Sequence, residues 1–295
     1  MSGLREGLFF DDVMILPRRS DIMPPRVNLE TRLSANVLLR LPFMTSARNP
    51  AADYRLSSNI ARAGGLGILP LFGSPEDQAH EVRKVKELVC KDDGAACDLK
   101  GRPLVGALID LEKDGLLESI GALAEVWADV VVVDVPHADR LNVLHQIQAV
   151  KAEYDWLPLM VGNVQTRAGA RDVIDAGADI VVVGGGFSSF VEATELSGVG
   201  MPELSALMEV QDVASLYGRP IICNMDVHSP ASVVKALAAG AAAVVLNAVT
   251  SDAASAVIAQ MAGQVRESLS CVGAGSIADL REKAEFVRIH PPSPA

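Results

Sequence analysis

Aromatic side chains are scarce in this chain: two Trp, three Tyr and seven Phe make up only 4% of its residues. A core must therefore be built from Ala, Val, Leu and Ile, which suits closely packed parallel strands and small-residue helices. Basic residues are also in the minority, 26 Lys and Arg against 37 Asp and Glu, for a net charge of −11. An acidic surface repels phosphate backbones, so nucleic acid is not an expected partner. The four cysteines (Cys90, Cys97, Cys223, Cys271) form no C-x-x-C pair. Arg5, Glu6, Asp11 and Asp12 interrupt the amino terminus, so it does not read as a secretory signal. The expectation is a cytoplasmic protein with reduced thiols. Long hydrophobic runs are lacking too. The longest small-apolar stretch, Ala236 to Val249, is broken by Gly240 and Asn247 and is too short to span a bilayer.

What is present is a large apolar fraction, 49%, in a chain of 295 residues, enough for one large domain. Short β-branched runs alternate with helical patterns. Strands are expected near 41–46, 66–71, 103–110, 129–135, 158–164, 179–184, 220–227 and 242–248, each followed by a helix. Helix starts are marked at Ser74-Pro75-Glu76-Asp77, Thr166, Ser229-Pro230 and Ser251-Asp252, where a hydroxyl can cap free amides and acids favour the positive end. A loose internal repeat runs through Ala122–Val133, Val173–Val183 and Lys235–Leu246; each copy reads as a helix end, a tight turn and a buried strand. Eight such units predict an α/β fold, a single-domain (β/α)8 TIM barrel over 1–295, with residues 1–40 as an extension packed on it. Residues 89–102 read as a polar surface connection, and Pro291–Ala295 as a frayed tail.

The segment from Val181 to Pro202 is a buried strand, a glycine-rich loop through Gly184, Gly185 and Gly186, and then Gly198-Val-Gly-Met-Pro202 opening a helix. Together with Phe9-Phe-Asp-Asp-Val-Met-Ile-Leu-Pro17, Gly64-Gly-Leu-Gly-Ile68, Glu81–Lys86, Gly162-Asn-Val-Gln-Thr166 and Leu280–Arg288, it resembles the IMP dehydrogenase/GMP reductase family over nearly the whole chain. The resemblance implies the barrel and a homo-oligomer, normally a tetramer. It also implies NAD(P), a cofactor that nothing in the residues themselves requires.

The departures fall where chemistry is expected. Counting back from Gly198, the position of the family's nucleophilic cysteine holds Val191. The paired CBS modules of the family would enter after Glu81–Lys86, where only 89–102 remains. After the eighth strand Asn247-Ala-Val-Thr-Ser-Asp252 runs straight toward the last helices, without room for the family's active-site flap. The phosphate-cradling Asp-Gly-Gly has become Asn224-Met225-Asp226. A carboxylate about 4 Å from a phosphate oxygen costs about 4 kcal/mol per charge pair at an effective dielectric near 20.

New candidates take the place of the old ones. Alternation along a strand would put Asn224, Asp226 and His228 on one face at the mouth of strand seven, with Asp226 and His228 as an acid–base pair or simply a hydrogen-bonded loop pair. Asp134 ends strand four, with His137 three residues on. The resemblance places this Asp beside the nicotinamide-side ribose, while a structural cap is the plainer alternative. Asp134, His137, Asp226 and His228 include metal-ligand types, but their spacing does not make a metal motif. Glu192 stands next to the old nucleophile position as a base or a solvated acid. Ser46, Arg48, Asn163, Gly184, Gly185, Gly186, Ser188, Ser189, Asn224 and Asn247 complete the expected ligand contacts. Cys223 should face away from the site, into packing.

Three functions fit these residues. The first is a repurposed enzyme using non-covalent acid/base chemistry on a small purine-like or other heterocyclic ligand. The second is a non-catalytic protein that binds a ligand or partner. The third is a residual NAD(P)-linked oxidoreductase.

Overall fold

The computed structural model describes residues 4–49, 51–113, 115–185, 197–225, 227, 229–247 and 249–289. Three short strands precede the barrel: β1 (Val13–Ile15), β2 (Thr31–Arg32) and β3 (Leu38–Leu39). The eight barrel strands are β4 (Phe43–Thr45), β5 (Gly67–Leu69), β6 (Val105–Ile109), β7 (Val130–Asp134), β8 (Leu159–Val164), β9 (Ile180–Val183), β10 (Ile221–Cys223) and β11 (Ala241–Leu246). They form one parallel sheet, β4-β11-β10-β9-β8-β7-β6-β5. Backbone bonds from Thr45 to Leu66 and from Leu66 to Phe43 nearly close it into a (β/α)8 barrel.

A helix follows each strand: α1 (Tyr54–Arg62), α2 (Pro75–Lys86), α3 (Leu116–Glu125), α4 (Leu141–Glu153), α5 (Arg167–Ala176), α6 (Glu203–Ala214), α7 (Pro230–Ala238) and α8 (Ala254–Val272). Three of the expected caps form: Ser74 accepts from Asp77 N, Thr166 from Gly169 N, and Ser229 from Ser232 N. Ser251 does not cap. Ala253 and Ala254 instead donate to the Thr250 carbonyl, and this turn carries the chain into α8.

Alternation along the strands divides the core in two. Val130, Val132, Met160, Ile180, Val182, Ile222 and Val245 fill the barrel interior. Val131, Val133, Val161, Val181, Val183 and Val244 face outward and pack under the helices. The β2–β3 hairpin plugs the amino-terminal ends of the strands, because its Leu33, Val37 and Leu39 join the interior cluster. A ninth helix, α9 (Ile277–Lys283), leads into β12 (Phe286–Arg288), which pairs antiparallel with β1.

Two expectations change. The seventh barrel strand ends at Cys223, not near 227, so alternation cannot be carried from Asn224 to Asp226 and His228. The cysteines are not all reduced: Cys90 and Cys97 are joined as a disulfide with Cα atoms 6.6 Å apart. The Cys90 N to Gly101 O bond and the Cys97–Pro103 bridge fold the 89–102 connection back on itself, which brings the two thiols together.

The repeat is a structural one. Asp129 and Asp179 open β7 and β9; each carboxylate accepts from the first amide of the preceding strand, Val105 N at 2.7 Å and Leu159 N at 3.0 Å. Each also takes a lysine from the helix before that preceding strand, Lys86 of α2 at 2.6 Å and Lys151 of α4 at 2.9 Å. The turns before β9 and β11 use Gly177 (φ 118) and Gly240 (φ 114), whereas Trp127 adopts φ 65 before β7. A left-handed conformation is uncommon for a bulky residue.

Candidate functional site at the carboxyl ends of the barrel strands

Asp134 is the last residue of β7, in register with the inward-facing Val130 and Val132, so its carboxylate stands at the barrel mouth. Arg48, three residues past β4, reaches across to it: Nε donates to Asp134 Oδ2 at 2.7 Å and Nη2 to the Asp134 carbonyl at 2.8 Å. The other oxygen, Oδ1, accepts from Asn163 Nδ2 at 2.7 Å. Asn163 also donates to the Val135 carbonyl, and its Oδ1 accepts from Asn224 Nδ2 at 3.1 Å. One chain of hydrogen bonds therefore joins the ends of the first, fourth, fifth and seventh barrel strands.

The network is graded in exposure. Asn163 is 1% exposed and the Asp134 side chain 8%, whereas the Arg48 side chain is 56% exposed. The acceptors of the buried members are taken up inside the protein, so these residues are anchored. The Arg48 guanidinium keeps Nη1 without a partner among the described residues. Beneath the network the lumen narrows to a cavity of about 20 Å³, lined by Met44, Val132, Met160, Val182 and Ile222. That is room for about one water molecule.

The remaining candidates are placed around this centre. Ser46 Oγ accepts from Arg48 N at 3.2 Å and shapes the turn that carries the arginine. Gly184 donates its N–H to the Val164 carbonyl. A Cβ there would lie 2.2 Å from Asn163 Oδ1 and 2.6 Å from the Asn224 carbonyl, so only glycine fits beside the network. Gly185 follows it, half-buried. His137 lies half-buried in the loop after β7, and among the described residues its imidazole has no hydrogen-bond partner, Asp134 included. Asn247 is exposed just past β11. Gly186, Ser188, Ser189, Val191, Glu192, Asp226 and His228 lie outside the described residues. Among those described, no group of three or more His, Cys, Asp and Glu is placed to hold a metal ion.

The thiols are all accounted for. Cys223 is fully buried with Val181 and Val183 in the outward-facing core, and burial pushes its pKa up to about 12. Cys271 is exposed near the end of α8, at the opposite end of the barrel, where its carbonyl accepts from Arg18 N. Cys90 and Cys97 are bonded to each other in the connection between α2 and β6.

Two features escaped the sequence. The Arg48–Asp134 pair joins residues 86 positions apart, which no local pattern marks. The buried Lys86, which meets both Asp98 and Asp129, did leave a trace, since the Ala-Asp of the internal repeat marks one of its acceptors.

Comparison with known proteins agrees with this architecture. A sequence profile of the IMP dehydrogenase / GMP reductase domain matches residues 7–256. An inosine-5'-monophosphate dehydrogenase from Cryptosporidium parvum is 31% identical over 277 residues, covering 84% of this chain and 68% of that protein. One from Borreliella burgdorferi is 28% identical over 314 residues, covering 94% and 78%. One from Streptococcus pyogenes is 25% identical and covers 97% and 93%. With the barrel, the ordered motifs and these matches in agreement, the chain belongs to the IMP dehydrogenase/GMP reductase family.

Proposed function

We propose that this barrel binds a small purine-like or other heterocyclic ligand at its carboxyl-terminal mouth and acts on it without a cysteine adduct. The observation that carries the reading is the placement of the four cysteines, none of which brings a reactive sulfur to the mouth. A thiol whose pKa lies near 12 is almost wholly protonated at neutral pH and is a poor nucleophile. Val191, at the position where the resemblance puts a cysteine, supports the same reading.

In this reading Arg48 supplies hydrogen-bond donors and Asn224 a second polar edge, while Asp134 and Asn163 position them. Asp134 gives both carboxylate oxygens to protein donors, so it is a positioning residue and not a free base. Each oxygen has one protein donor and room for a second, so Asp134 could also accept from a ligand hydroxyl. Proton transfer falls to Asp226, His228 and Glu192, with His137 in the loop after β7 as a further imidazole.

A thermal-shift panel of bases, nucleosides and nucleotides on the wild type and on Arg48→Gln tests the site. Stabilisation by a purine-type compound is expected, with a several-fold loss of affinity in the variant. NADH formation from IMP, or oxidation of NADPH with GMP, would overturn the adduct-free reading. The second reading, a non-catalytic binder, is favoured by the narrow lumen; it predicts that Asp226→Asn and His228→Asn leave ligand affinity intact and that no ligand in the panel is turned over.

A further inference from the structure

A roomy concave surface lies at the other end of the barrel. Around the β2–β3 plug runs a trough whose two halves, about 480 and 370 Å³, share Arg32, Gly218, Arg219 and Pro220. Both volumes lie in the range of small-molecule sites.

Its charge runs against that of the chain. Arg32, Arg219 and Arg281 line it in a protein of net charge −11. Of the carboxylates along its walls, Asp179 is shared by Lys151 and Arg219, and Glu30 is paired with Arg40. Asp155 has no cationic side chain on it among the described residues, and it stands at the far end beside Trp156. The arginines keep donors in reserve. Among the described residues Arg32 uses Nη1 on the Ala35 carbonyl, and Arg281 bonds only the Leu237 and Ala241 carbonyls. Arg281 is an exposed residue packed against α7 and β11, its pKa is lowered by burial, and no carboxylate is paired with it among the described residues. An arginine without a paired carboxylate has donors to offer an incoming anion. Guanidinium groups match phosphate oxygens with paired N–H donors.

We propose that this trough binds a small, multiply charged phosphate compound, held by Arg32, Arg219 and Arg281. Trp156, 60% exposed, borders the larger half and offers a face on which a base can stack. The shared chemistry is a di- or triphosphate, and an inorganic and a nucleoside source are separated by that tryptophan. The site is independent of the barrel mouth.

The test uses the full chain at low salt, with inorganic triphosphate and ATP as probes in calorimetric titrations. One site per chain is expected for at least one probe, weakened about tenfold by Arg32→Gln and by Arg281→Gln. Lys84→Gln, which alters an ion-paired cation on α2, should leave it unchanged. Should Arg281→Gln not fold, Arg32→Gln carries the test, because Arg32 is exposed on a two-residue strand. In a Trp127→Phe background Trp156 is the sole fluorescent indole. Quenching by ATP but not by inorganic triphosphate, with tighter ATP binding, assigns a nucleotide; equal binding without quenching assigns the phosphate chain alone. No binding of either probe at millimolar concentration, or binding that Arg32→Gln leaves unchanged, overturns the proposal.

Discussion

At the scale of single residues, the barrel separates side chains that carry structure from those open to chemistry. Cys223 was legible from alternation alone: it follows Ile222, which points into the lumen, and so it must point at the helices. Its depth makes a prediction. With the folded protein under non-reducing conditions, a thiol reagent near pH 8 should titrate one cysteine per chain, Cys271. Reduction should raise the count to three, and denaturation under reducing conditions to four. Rapid native modification of Cys223 would contradict its placement. Asn163 and Gly184 were expected as ligand contacts because of the motifs they stand in. The geometry gives them a prior structural task, one as the buried link between Asp134 and Asn224, the other as the gap that admits it.

At the scale of elements, the strands were largely readable because β-branched runs buried on both faces leave an unbroken signal. Ends were less so. The seventh strand stops at Cys223, where Asn224 turns its amide to Asn163; a side chain that hydrogen-bonds across the mouth ends the pattern that local preference would have continued. The joints at the amino-terminal ends carry their own electrostatics. Asp129 sits between Val105 N–H and the Lys86 ammonium, and burial pushes its carboxyl up to about 6 despite those donors. Its folded pKa lies above the ordinary carboxylate value of 3.8. The folded state therefore binds more protons than the unfolded state between those values, and this group's contribution to stability falls as pH rises from about 4 to about 6. The fall is at most about 3 kcal/mol. Carboxyl-carbon NMR should show Asp129 titrating near pH 6, and Asp129→Asn should remove the corresponding slope from unfolding free energy against pH. A slope that the substitution leaves in place would assign it elsewhere.

At the scale of the whole molecule, the barrel is polarised. Its carboxyl end carries the anchored Arg48–Asp134–Asn163–Asn224 network over a nearly filled lumen, and its amino end carries the plug, the disulfide-closed connection and the arginine-lined trough. No described helix is long and apolar enough to cross a membrane. Large apolar side chains remain exposed, among them Leu99, Leu141 and Leu216, and such residues can be covered by another chain. Family membership and these residues together predict a homo-tetramer of the 31.1 kDa chain. Light scattering at micromolar concentration checks it, and a monomer mass there would refute it.

The sequence by itself determined the α/β class, the eight-unit barrel, most helix starts and the family, because these rest on periodicity and on motifs contiguous in the chain. Only the tertiary structure decided which polar residues meet. Arg48 and Asp134 are neighbours because barrel closure brings the ends of distant strands to one rim, and Cys90 and Cys97 are joined because their connection folds back on itself. The three arginines of the trough come from β2, the turn before β10, and α9, and their shared field exists only once the plug is seated. Side-chain type is written locally, whereas convergence depends on long-range packing that no short stretch of sequence encodes.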